Sequence, residues 1–236
     1  MLSVDAIPRE VCAFRVFGSR ARADADAASD HDVLVIAGEE HLKDEAVAEF
    51  LTRVSESFDD VSVYGCGRYA EMHASGHLFT WHIYEESVKA LRSEAPDWID
   101  TLGRPAAYEK AVSDAEELIR TFDEAASAIE EASSPVYEAG VLYVVVRNIG
   151  VIATAEFGSA EYGPVAPYRG GSLLETPFPL SRAQHDLLRL ARKATSTGQP
   201  PPTITTAEVH DIAIQVMPWL RELLSILKRR TRGARV

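Results

Sequence analysis

Cysteine and positive charge are both scarce in this chain of 236 residues. Its two cysteines, Cys12 and Cys66, fall inside apolar runs that read as strands and lack metal-type spacing. Buried free thiols in a reducing cytoplasm fit that pattern. Lys and Arg number 24 against 36 Asp and Glu, a formal net charge of −12. Such a balance argues against non-specific binding of nucleic acid over the whole surface and is compatible with a cationic small substrate. Plain solubility, or a salt-adapted proteome, accounts for it more simply. An unbroken membrane-length run is also missing. The longest apolar stretch, VLYVVVRNIGVIATA, is interrupted by Arg147 and Asn148 and is too short to span a bilayer. MLSVDAIPRE at the start is too polar for a signal peptide. These absences lead to the expectation of a cytoplasmic protein that makes no use of a membrane. No internal repeat is visible, nor any low-complexity segment beyond a few proline clusters. What remains, with 46% hydrophobic residues, is enough for a sizeable core in one large domain or two small ones.

The most informative stretch is Phe17 to Asp32, FGSRARADADAASDHD, set between the apolar runs VCAFRVF and VLVI. The first run is rich in β-branched and aromatic residues and stops at Gly18, which reads as a strand followed by a turn. Gly18 permits a sharp turn and a close approach of a ligand to the backbone. Ser19 can cap a following helical turn. Backbone N–H groups at such a start bind anions, phosphate above all, and Arg20 and Arg22 add positive charge for the same ligand. Asp30 and Asp32 open the next strand. Side chains two apart on a strand share a face, so both carboxylates point one way and His31 the other. Neighbouring carboxylates repel unless a cation sits between them, and hard oxygen ligands beside phosphate suggest Mg²⁺.

This Gly-Ser pair, ten-residue spacer and Asp-x-Asp resembles the signature of the polymerase-β-like nucleotidyltransferase superfamily. The small bacterial members are most similar: kanamycin-type aminoglycoside nucleotidyltransferases and the minimal nucleotidyltransferases paired with HEPN proteins. The resemblance covers roughly residues 10 to 90, with Ala23 where members usually carry glycine. It implies a mixed sheet with flanking helices, an NTP substrate (ATP above others) and Mg²⁺ held by Asp30 and Asp32. It further implies transfer of a nucleoside monophosphate to a hydroxyl, with Gly18 and Ser19 holding the β- and γ-phosphates. The family carries a third carboxylate on its third strand, between two hydrophobic residues. In FDDVSVYGCGRY that position reads as Ser62, between Val61 and Val63. Asp60, two residues back on the same face, can stand in only if the strand begins early, since two residues span about 6 to 7 Å. Two functions follow: an active nucleotidyltransferase, or a catalytically weak or inactive nucleotide-binding or antitoxin-like partner-binding protein.

Further along, residues 39 to 57 show Leu42, Val47, Phe50, Leu51 and Val54 at helical spacing. Leu78 to Tyr84 reads as a fourth strand. His77 and His82, five apart, would then fall on opposite faces and are read as satisfied histidines, not metal ligands. Beyond Pro96, Gly103 and Pro105 the chain becomes helical, with an amphipathic stripe from Tyr108 to Ala126. Pro135 suits a first helical position and opens a helix, Val136 to Glu156, apolar all round. A long loop is expected around Gly163 to Gly171. Ser181 caps another helix, and Thr205 with Glu208 forms a capping box for a last one, kinked near Pro218. The expected fold class is α+β: a nucleotidyltransferase domain at 1–92, a linker at 93–104, a helical acceptor-binding domain at 105–228 and a basic tail at 229–236.

Glu138 and Arg147 lie on the apolar helix, where a charge needs a partner or a function. Nine residues apart, they fall on roughly opposite sides of it. In kanamycin-type enzymes a glutamate on a helix of the second domain is the general base for the acceptor hydroxyl. The resemblance makes Glu138 the candidate here, against a structural ion pair, and Arg147 a candidate phosphate contact. The HEPN histidine expected a few residues after Arg147 is missing, so ribonuclease activity of that type is not expected. A small-molecule acceptor is preferred. Nucleic acid enters only through the basic tail, KRRTRGARV, and a homodimer is compatible with the sequence.

Overall fold

The computed structural model of the protein describes residues 7–22, 31–90, 97–130 and 134–233. The chain divides into two compact units, Met1–Glu109 and Lys110–Val236, and the fold class is α+β, consistent with a nucleotidyltransferase fold.

The first unit is built on a four-stranded sheet of order β3-β2-β1-β4. Strands β1 (Val11–Phe17) and β2 (Asp32–Ala37) pair antiparallel, β2 and β3 (Asp60–Gly65) pair parallel, and β4 is only Val88–Lys89, antiparallel to β1. Alternation along the strands sends side chains to two faces. Ala13, Phe17, Leu34 and Ile36 meet Tyr69, Ile83 and Ile99 on one face. Phe14, Val33 and Val35 meet Phe50 and Val54 on the other. The second face is covered by α2 (Glu45–Ser55), the helix expected from the Val47, Phe50 and Val54 spacing. Three helices cover the first: α3 (Cys66–Ala74), α4 (Leu78–Glu86) and α5 (Trp98–Leu102). A single helical turn, α1 (Ser19–Arg22), follows β1.

Two expectations are corrected here. Leu78–Tyr84 is not a strand but most of α4. Its aromatic and β-branched composition favours a strand, yet Phe79, His82, Ile83 and Glu86 recur at helical spacing. The His77 side chain accepts the Phe79 N–H and caps the start. His77 and His82 therefore do not sit on opposite faces of a strand. Cys66, in turn, opens α3 instead of lying in a strand. Both cysteines are half-buried free thiols that pack against the first-face cluster. Burial, and after it the neighbouring Cys12 thiol, push Cys66 up to about 12. Within the stretch 93–104, α5 packs Ile99 on the sheet, and Asp97 and Asp100 close a capping box at its start.

The regular structure of the second unit, among its described residues, is five helices: α6 (Ala111–Glu130), α7 (Pro135–Phe157), α8 (Ala166–Leu173), α9 (Arg182–Thr197) and α10 (Thr206–Gly233). Sequence punctuation sets the starts. Ser134 caps α7 ahead of Pro135, Ser181 and Gln184 form a capping box for α9, and Thr205 with Glu208 does so for α10. α7 is the hub, packed by α6, α8, α9 and α10, as its all-round apolar pattern predicts. At 23 residues it is long and apolar enough to cross a membrane, but 67% of its most apolar window is buried inside the unit. The loop expected around residues 163–171 is in part α8. Proline in its first turn is compatible with a helix. α8 crosses α7 closely at Gly150, where an added Cβ would lie 2.4 Å from the Pro167 nitrogen.

Candidate active site

The site sits at the end of the sheet where β1 stops and β2 and β3 start. Antiparallel register places Phe17 opposite Asp32, so the bend after Phe17 lands beside that carboxylate. Gly18 has a φ of +74°, the left-handed region, and a Cβ built there would lie 2.7 Å from Asp32 Oδ2. Glycine is thus required twice, for backbone conformation and for the space an acid occupies. The Gly18 carbonyl accepts from the N–H groups of Ala21 (3.1 Å) and Arg22 (3.2 Å), which closes α1 into one turn. Ser19 is its first residue, half-buried, and Arg20 is exposed.

Asp32 shares its face with Leu34 and Ile36, while the His31 ring meets Phe58 of the other face, 6.3 Å between centroids. Asp30 lies outside the described residues. The parallel register pairs Asp60 with Asp32 and Ser62 with Leu34. β3 does begin at Asp60, which was the condition for this residue to matter. Asp32 and Asp60 are neighbours on adjacent strands, about 4.8 Å apart at the backbone, and face the same side. Ser62 lies one side-chain step further into the sheet. Among the described residues no group of three or more His, Cys, Asp or Glu forms a metal set. Asp32, whose Oδ2 lies beside Gly18, and Asp60, its neighbour on β3, are hard oxygen donors of the type a divalent cation such as Mg²⁺ takes.

A partner that sequence reasoning missed holds the bend in place. Arg22 Nη1 reaches Glu86 Oε2 at 2.5 Å, and His82 Nε2 lies 2.9 Å from the same oxygen. The His82 ring packs edge-on against Phe17, 5.3 Å between centroids. Burial alone would raise the Glu86 pKa, but hydrogen bonds from His82 and Arg22 outweigh it and hold the carboxyl low. Arg22 therefore anchors α1 to α4 in addition to any ligand it meets. The four-residue step from His82 to Glu86 was the available signal, and the strand assignment hid it.

The remaining candidates lie in the second unit. Glu138 is buried in the first turn of α7. Arg147 donates from Nε (3.1 Å) and Nη2 (2.6 Å) to the Tyr162 carbonyl and from Nη1 to Asn148 Oδ1 (3.3 Å), tying the segment after α7 back to that helix.

Residues 2–102 match the model of a family described as "Putative nucleotidyltransferase DUF294". No curated protein matches the chain. The N-terminal part of the chain is thus similar to a nucleotidyltransferase-type family, and the match spans the bend, Asp32 and Asp60.

Proposed function

We propose that the protein is a Mg²⁺-dependent nucleotidyltransferase that moves a nucleoside monophosphate from an NTP, ATP by preference, to a hydroxyl on a small-molecule acceptor. The observation that carries this reading is the left-handed Gly18 set against the Asp32 carboxylate. It puts a phosphate-accessible backbone and a metal-type ligand at one point. In this reading Gly18, Ser19 and Arg20 bind the triphosphate tail, while Arg22, braced by Glu86, keeps the turn in shape. Asp32 and Asp60, together with Asp30, hold Mg²⁺, which when bound neutralises charge on the phosphates. The acceptor oxygen forms a bond to the α-phosphorus, the α–β bridging bond breaks, and pyrophosphate leaves. The hydroxyl proton passes to a carboxylate, with Asp60 and Glu138 as candidates. Positioning and electrostatics supply most of the rate in such transfers. By the resemblance to kanamycin-type enzymes, the helical unit receives the acceptor.

Labelled ATP, Mg²⁺ and a panel of hydroxyl acceptors test the proposal, with pyrophosphate release as readout. Asp32→Asn should reduce transfer by about 10²-fold or more with unchanged circular dichroism. Wild-type turnover by that variant would remove the metal assignment. Ser62, where relatives carry an acid, favours a second reading as a binding protein. ATP binding by calorimetry without pyrophosphate release supports that alternative.

A further inference from the structure

The chain is acidic as a whole but basic at its end. Residues 221–236 contain six basic residues and one acid, a net +5, which leaves −17 for the preceding 220 residues. On α10 this charge is ordered. At about 100° per residue, Arg221, Ser225, Lys228 and Arg229 fall within one sector of the helix. They line a shallow concavity of about 280 Å³ together with Leu224. Val216, Leu220, Leu223 and Leu227 occupy the opposite side and are buried in the bundle. Arg229 Nη1 donates to Ser225 Oγ at 2.8 Å. Lys228 Nζ pairs with Glu116 at 2.7 Å, and Arg229 Nη2 lies 3.5 Å from Glu222, all with side chains 43% exposed or more. Exposed pairs of this kind contribute little and exchange readily for a stronger anion. The guanidinium fork matches phosphate oxygens in particular.

We propose that this face of α10 binds the phosphodiester backbone of a nucleic-acid strand without reading its sequence. Two observations favour that partner. The cations are spread over residues 221–229, about 12 Å along the helix axis. That length suits a ladder of about three phosphates at strand spacing, whereas a single small anion would engage one end. A membrane-seeking basic helix needs an apolar face to insert, whereas Val216, Leu220, Leu223 and Leu227 of α10 are buried in the bundle and Ile214 is the one large hydrophobic exposed among its described residues. The binding is separate from the proposed transfer reaction, and Asp32→Asn should leave it intact, so the two fail independently.

Fluorescence anisotropy of the full chain with a labelled single-stranded RNA of about 20 nucleotides, across a salt series, provides the test. Binding should appear at low salt, with log K falling against log salt at a slope of about −2, the value for three neutralised phosphates on a single strand. Arg221→Gln with Arg229→Gln should weaken binding about tenfold and flatten the slope by about 1.4, with the helical circular dichroism signal kept. Glu222→Gln, which removes the acid that α10 itself sets beside Arg229, should tighten it. Arg68→Gln, an exposed arginine on α3, should change nothing. The proposal is overturned by an absence of binding at low salt, by indifference to both Arg221→Gln with Arg229→Gln and Glu222→Gln, or by binding to phosphatidylserine vesicles that RNA fails to displace.

Discussion

The two units bury polar groups in opposite ways. In the sheet unit a buried charge always meets its opposite among the described residues. Arg15 donates Nε to Asp97 Oδ2 at 2.9 Å and Nη2 to Asp97 Oδ1 at 2.7 Å, and also bonds Asp100. Burial works against the Arg15 charge, but these hydrogen bonds outweigh it and raise its pKa. Burial would raise Asp100 too, yet Arg15 and Lys89 hold it down to about 2. In the helical unit the buried ionisable ring is His185, packed between Tyr143 (5.3 Å), Tyr168 (5.5 Å) and Phe178 (5.7 Å). Its Nε2 has no hydrogen-bond partner among the described residues. Paired charges keep their state over a wide pH range, whereas a buried imidazole with no partner at Nε2 resists protonation. The unit that carries Gly18 and Asp32 is thus the one whose buried charges are paired. The unit that is mostly apolar carries the acid-sensitive point.

The contrast can be broken from either side. The largest effect belongs to the apolar hub. Leu142 is fully buried on α7, and Leu142→Ala should cost about 2 to 5 kcal/mol, read as a fall in the urea midpoint with unchanged slope. Next comes the histidine. Burial lowers His185 to about 4, the nearby Arg182 and Arg189 add to this, and Asp186 opposes it. The unfolded chain, at the ordinary value of 6.5, binds the extra proton first. The stabilisation of neutral His185 is therefore present above pH 6.5, falls between pH 6.5 and about 4, and is gone below that. The loss is on the order of 3 kcal/mol. In His185→Phe this segment of the pH–stability curve should flatten, and a curve identical to wild type would remove the assignment. The smallest effect sharpens the other side. Gly18→Ala should cost about 1 to 2 kcal/mol of stability through its left-handed backbone, visible as a shift in thermal midpoint. It should also move the Asp32 carboxylate, and ATP binding by calorimetry should weaken more than stability does.

Much of this was legible beforehand where one local rule decides. Three strands, the bend at Gly18, the parity of Asp32 against His31, and the caps at Ser134, Ser181 and Thr205 each follow from a few adjacent residues. α4 was missed because LFTWHIY has strand composition, and its helical period shows only once Glu86 is counted with it. α8 was missed because two prolines and three glycines read as loop, whereas Gly170 serves the close crossing of α7 and α8, and Gly171 the close approach of Thr176–Phe178. The level of Asp60 with Asp32 depends on a parallel register between residues 28 positions apart, which no local pattern encodes. The clasp of Arg22 by Glu86 joins residues 64 positions apart and is hidden for the same reason.

The shortness of β4 bears on how the protein assembles. Strand β1 meets its first neighbour 19 residues downstream, at Arg15 and Leu34, but its second only at Lys89, 74 residues from Arg15. Closing so long a loop costs little extra equilibrium free energy, because that term grows with the logarithm of length. It slows the search, since distant pairings form late. During synthesis one margin of β1 therefore stays unzipped until nearly the whole first unit has left the ribosome.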